Sequence, residues 1–97
     1  MATLYISEYA HSTSGDSDTE QQEPAITDQT VAIGGTSTQS AAFKSNTASV
    51  RLQSDAICSF AFGANPTATA TNKRMVAGIN ENFRVTPGHK VAVITNT

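Results

Sequence analysis

The apolar positions of this chain recur at every second residue, and no window holds a sustained 3.6-residue repeat, so strands are predicted throughout. "TLYISEY" sets Leu4 and Ile6 against Tyr5, Ser7 and Tyr9 and gives a first strand near the terminus. "ITDQTVAIGG" places Val31 and Ile33 on one face and closes at Gly34 and Gly35, residues that tolerate positive φ. "TQSAAF" follows as a short third strand ending on Phe43. In "ASVRLQS", Val50 and Leu52 alternate with Ser49, Arg51 and Gln53, the signature of a strand wet on one side. A turn at Ser54 and Asp55 leads into "AICSFAFG", with Ala56, Cys58, Phe60 and Phe62 on one face and Ile57, Ser59 and Ala61 on the other. The bulky face points to the core, and the two segments together read as a central hairpin.

Beyond Gly63 the pattern loosens. In "ANPTATATN" a helical start is disfavoured because Asn65 precedes Pro66, and its small residues favour extended, exposed backbone. "KRMVAG" supplies a further strand with Met75 or Val76 inward. In "NFRVTPGHKVAVIT", Pro87 suits position i+1 of a type II turn and Gly88 the following position, which requires φ above zero. Phe83 and Val85 before that turn, and Val91 and Val93 after it, form the flanking strands. Seven or eight short strands about ten residues apart predict an all-β domain, a compact antiparallel sandwich or barrel, with a core of Val50, Leu52, Cys58, Phe60, Phe62, Phe83, Val85, Val91 and Val93. Residues 11–24, "HSTSGDSDTEQQEP", hold no aliphatic side chain and are expected to form a flexible polar loop within one domain spanning 1–97.

Composition narrows the partners. Charged residues make up 14% of the chain against a usual ~25%, so the surface is built largely from Ser, Thr, Ala and Asn. A net charge of -2 with scattered Lys and Arg lacks the basic patch that nucleic acid requires. No stretch approaches ~18 apolar residues, so no membrane partner is expected. The opening "MATLYISEYA" lacks the basic and apolar regions of a secretory signal, and folding in a cytoplasm is the expectation.

The search for chemistry returns little. Cys58 has no second cysteine to pair with and sits in a strand alternation, where cysteine serves as a small hydrophobe. Neither His11 nor His89 stands at a spacing that would make Cys58 a nucleophile. "AIGGTS" lacks the Lys and hydroxyl of a phosphate loop. Asp16, Asp18, Glu20 and Glu23 cluster without the spacing of a calcium loop. Glu8, Asp28, Asp55 and Glu81 read as strand-edge or turn residues. No enzyme, cofactor or metal is therefore expected. Tyr5 and Tyr9 share a strand face and, with the Thr-rich loop from Pro66 to Asn72, could form a glycan platform.

The segments "MATLYISEYA", "EPAITDQTVAIGGTSTQSAAF", "VRLQSDAICSFAFGANPTATATN" and "VTPGHKVAVI" resemble, in the same order, a group of small structural proteins of tailed bacteriophages and prophages. The resemblance covers nearly the whole chain except residues 11–22. It implies a virion component with a compact β fold and no active site, made in the bacterial cytoplasm. Foremost is a head decoration (cement) protein that binds the major capsid protein on the outer shell as a homo-oligomer or in many lattice copies. An adaptor, a tail accessory protein or a head-fibre base fits the same resemblance. Under this reading Leu4, Tyr5, Ile6 and Tyr9 of the terminal strand, and Pro66, Thr67, Thr69 and Thr71 of the loop, are the candidate interaction residues. The terminal strand would act by adding to a neighbour's sheet edge.

Overall fold

The computed structural model describes residues 2–10 and 25–96, so the predicted loop at 11–24 lies outside the described residues. Eight strands are present: β1 (Ala2–Ala10), β2 (Thr27–Ile33), β3 (Thr38–Gln39), β4 (Thr47–Ser54), β5 (Cys58–Gly63), β6 (Lys73–Met75), β7 (Asn80–Arg84) and β8 (Lys90–Thr95). They form two antiparallel four-stranded sheets, β2-β1-β4-β7 (sheet A) and β3-β8-β5-β6 (sheet B), packed as a small β-sandwich with no helix among the described residues. The alternation of each strand sends one set of side chains into the shared interior. Leu4, Ile6, Val50 and Leu52 of sheet A meet Cys58, Phe60, Val91 and Val93 of sheet B, all at most 1% exposed. Phe62, Phe83 and Val85, predicted as core, are half-buried and pack against that cluster. Phe60, Phe62 and Phe83 stack edge-on or tilted, with centroids 5.3 to 5.8 Å apart.

The predicted central hairpin is instead a crossing between sheets, and the connection at Pro87-Gly88 is another. β4 pairs with β1 and β7, whereas β5 pairs with β6 and β8, so the Val50/Leu52 and Cys58/Phe60 faces oppose each other across the core. The reason is turn chemistry. A tight two-residue hairpin needs positive φ at its centre, and no non-glycine residue among the described residues has it; the chain arches over at 55–57. The Pro87-Gly88 turn forms as the sequence predicts: Gly88 has φ of 85° and His89 N–H donates to Thr86 O at 3.1 Å. A type II turn does not match the twist of a hairpin, and it passes the chain from β7 in sheet A to β8 in sheet B.

β1 lies inside sheet A, with β2 on one side and β4 on the other. It therefore has no free edge to offer a neighbour, which removes strand addition by Thr3–Tyr9 as a mechanism. β3 is only two residues long, because after Gln39 the chain follows β8 irregularly: Ser40 N–H donates to Val91 O at 2.8 Å and Phe43 N–H to His89 O at 2.8 Å. Met75 is the inward residue of β6, and Val76 is exposed. Gly34 and Gly35 end β2 without positive φ.

Candidate interaction face

The two outer faces of the sandwich differ. On sheet B, alternation directs Ser59 and Ala92 outward, yet both are fully buried because residues 64–72 lie across them. Gln39 Nε2 donates to Asn65 Oδ1 and to Pro66 O, each at 2.8 Å, and Ala68 N–H donates to Ser37 Oγ at 2.8 Å. Asn96 Nδ2 donates to Ser59 Oγ at 2.6 Å and to Ala70 O at 3.2 Å, tying the far end of the loop down. Pro66 and Ala68 turn inward and Thr67, Thr69 and Thr71 outward. The Thr69 and Thr71 hydroxyls lie 3.0 Å apart, and Asn72 Oδ1 accepts from Thr69 N at 2.7 Å, so the outer turn is closed on itself.

Sheet A is open by comparison. The register aligns Thr30, Tyr5, Gln53 and Asn80 in one row across all four strands, and Asp28, Ser7, Arg51 and Asn82 in the next. Tyr5, on an interior strand, is 49% exposed, far more than a ring in the middle of a sheet would be beneath a covering loop. Shallow depressions flank it, one of ≈ 170 Å³ lined by Gln53, Ser54 and Asp55, the other of ≈ 280 Å³ lined by Ser7, Asp28, Gln29 and Thr30. Both fall below the ~300 to 1,000 Å³ of pockets that engulf a small molecule, so this face suits contact with a surface. Its acids are held in place: Ser7 Oγ donates to Asp28 Oδ1 at 2.6 Å, and Thr3 N–H to Asp55 Oδ1 at 2.6 Å. Tyr and Arg set among small neutral polar groups is the composition of adaptable protein-binding surfaces.

The structure does not assemble the candidate interaction residues as one patch. Leu4 and Ile6 are core, at 0% and 1% exposed, and Pro66 is buried under its own loop. Tyr9 is 3% exposed and adjoins a register shift between Tyr9 and Ala10, where strict alternation breaks, so it does not form a platform with Tyr5. Thr67, Thr69 and Thr71 are exposed but lie over sheet B, on the opposite side of the sandwich from Tyr5. Tyr5 alone of the eight stands on the open face of sheet A.

Glu8 is the residue that reading by type misplaced. It is completely buried, and its carboxylate accepts from Thr47 Oγ1 at 2.6 Å, Lys44 N–H at 2.9 Å and Gln29 Nε2 at 3.0 Å. Gln29 is itself fixed by the backbone of Ala41, whose N–H donates to Gln29 Oε1 at 3.0 Å. A polar knot thus ties β1, β2, the 41–44 segment and the start of β4. The signal was in the alternation: Glu8 has the parity of Leu4 and Ile6. Cys58 is buried, and burial pushes its thiol above the ordinary value; the neighbouring Ser54 hydroxyl offsets part of that rise. That contact falls short of a hydrogen bond, leaving Ser54 Oγ buried with no partner. Among the described residues no three His, Cys, Asp or Glu side chains converge as a metal site.

The class this architecture defines is a small antiparallel β-sandwich with one covered and one open outer face. Family models, curated proteins and solved structures offer no match to the chain.

Proposed function

We propose that this chain is a non-enzymatic virion structural protein of a tailed bacteriophage, a decoration protein that docks on the outer surface of the capsid through sheet A. The observation that carries the reading is the open polar face centred on Tyr5, set against a sheet B whose outer face is already covered. The phage-like order of sequence segments supports the same assignment. Contacts made through such a face are individually modest, and a repeating shell compensates because each copy is surrounded by identical sites. Major capsid protein is the partner, and the capsid surface the location.

Purified virions test this directly. Peptides of the chain should be found in the particles, and a map of the intact particle should place the sandwich on the shell with Tyr5 against it. Adding the protein to heads that lack it should restore decoration, with Tyr5→Ala and Arg51→Glu each lowering occupancy at least several-fold. Full occupancy by both variants would overturn docking through sheet A, and density confined to the neck, tail or fibres would overturn the decoration role.

A further inference from the structure

We propose that sheet A grips a segment of the capsid protein that carries a carboxylate beside an apolar side chain, the carboxylate meeting Arg51 and the apolar group entering the depression next to Tyr5. This deepens the capsid reading and rests on it. Once a partner covers sheet A, a charge in the middle of the face loses its water, and a buried charge without a counter-charge is strongly unfavourable. Arg51 is such a charge. It stands half-buried on β4, an interior strand, and its neighbours in the row, Ser7 on β1 and Asn82 on β7, are neutral. Asp28, in the same row, is two strands away, about 10 Å, and accepts from Ser7 Oγ at 2.6 Å. It also sits exposed on the edge strand β2, at the rim, where water still reaches it. Asp55 is occupied by Thr3 N–H at 2.6 Å, and Glu81 shares the inward parity of Phe83. The counter-charge must therefore come from the partner. A protein carboxylate matches the planar fork of a guanidinium, whereas a run of phosphates would meet Asp28 and a chain of net charge -2.

The apolar half of the contact lies at the end of the face. Among the described residues the exposed large hydrophobics are Tyr5, Val76 and Ile79, and they gather at one place. Tyr5 lines the ≈ 170 Å³ depression with Gln53, Ser54 and Asp55. Gly78 N–H donates to Ser54 O at 2.9 Å, which fastens the turn carrying Val76 and Ile79 beside that depression. Ile79 directly precedes Asn80, the last member of the row that runs from Tyr5 through Gln53. The space compares with the ~150 Å³ that admits a benzene-sized group, so it takes one apolar side chain. An apolar anchor next to a paired charge is the arrangement that concentrates binding energy in a few residues.

Binding of the full chain to undecorated heads tests the pairing. Arg51→Gln should keep the thermal midpoint, because no ion pair holds the guanidinium among the described residues, yet weaken binding about tenfold or more. Val76→Ser with Ile79→Ser should weaken it by a similar factor. Arg51→Lys keeps the charge and brings an amine to the same place; a carbodiimide, which joins amines to carboxylates without a spacer, should link position 51 to an Asp or Glu of the capsid protein, mapped by peptide mass. Wild-type binding by Arg51→Gln, wild-type binding by the double serine variant, or a bound Arg51→Lys chain that never links through position 51 would each overturn the proposal while leaving capsid docking in place. Failure of the wild-type chain to bind heads at all would remove the capsid reading and this contact with it.

Discussion

Glu8→Gln probes how a buried carboxylate is held with only neutral donors around it. Its oxygens accept from the Lys44 amide, the Thr47 hydroxyl and the Gln29 amide, at 2.9, 2.6 and 3.0 Å. Glutamine keeps one oxygen for Lys44 and Thr47 but turns an NH₂ toward the NH₂ of Gln29. Gln29 cannot simply flip, because its Oε1 already accepts from Ala41 N–H at 3.0 Å. One bond to a charged acceptor is lost, worth ~1.5 to 3 kcal/mol, and two donors face each other. The expected loss is about 2 to 3 kcal/mol, a large part of a stability of ~5 to 15 kcal/mol. Equilibrium urea unfolding followed by far-ultraviolet circular dichroism measures it. The sharper test is the exchange Glu8→Gln with Gln29→Glu: the new carboxylate at 29 accepts from both Ala41 N–H and the amide at 8. That double variant should recover more than half of the loss, since the two positions are coupled through one contact. A single variant within about 0.5 kcal/mol of wild type, or a double variant with simply additive losses, would refute the reasoning.

Two further outcomes follow from the core. Phe60→Ala should cost about 3 to 5 kcal/mol, because Phe60 is 1% exposed and is the ring against which both Phe62 and Phe83 pack; a loss below about 1 kcal/mol by denaturant titration would show that the site collapses or is less enclosed than described. Ser54→Ala should leave stability unchanged or raise it by about 1 kcal/mol, since it deletes a buried hydroxyl without a partner; a clear drop in the thermal midpoint would mean that the Cys58 contact is a working hydrogen bond.

Much of the strand inventory was legible in the sequence, because alternation is a property of one strand read alone. It gave the inward faces of β4, β5 and β8, and the parity of Leu4 and Ile6 contained the inward position of Glu8 as well. Reading Glu8 by residue type, as an edge carboxylate, overrode that parity, and only the donors brought by Gln29, Lys44 and Thr47 explain how it can be buried. Of the open face, Tyr5 was foreseen; its companions Gln53, Thr30 and Arg51 come from strands whose adjacency no local pattern encodes.

The amino-acid sequence by itself determined the all-β class, the type II turn at Pro87-Gly88 and the inward set of Val50, Leu52, Cys58, Phe60, Val91 and Val93. Tertiary structure decided which strands became neighbours. It placed β4 and β5 in different sheets, enclosed β1 between β2 and β4, and laid residues 64–72 over sheet B, which left Tyr5 exposed on sheet A. The physical reason is that pairing depends on both edges of both strands and on burial across the whole sandwich. A turn between two successive strands fixes where the chain bends, but the competition among all the edges fixes which sheet it enters next.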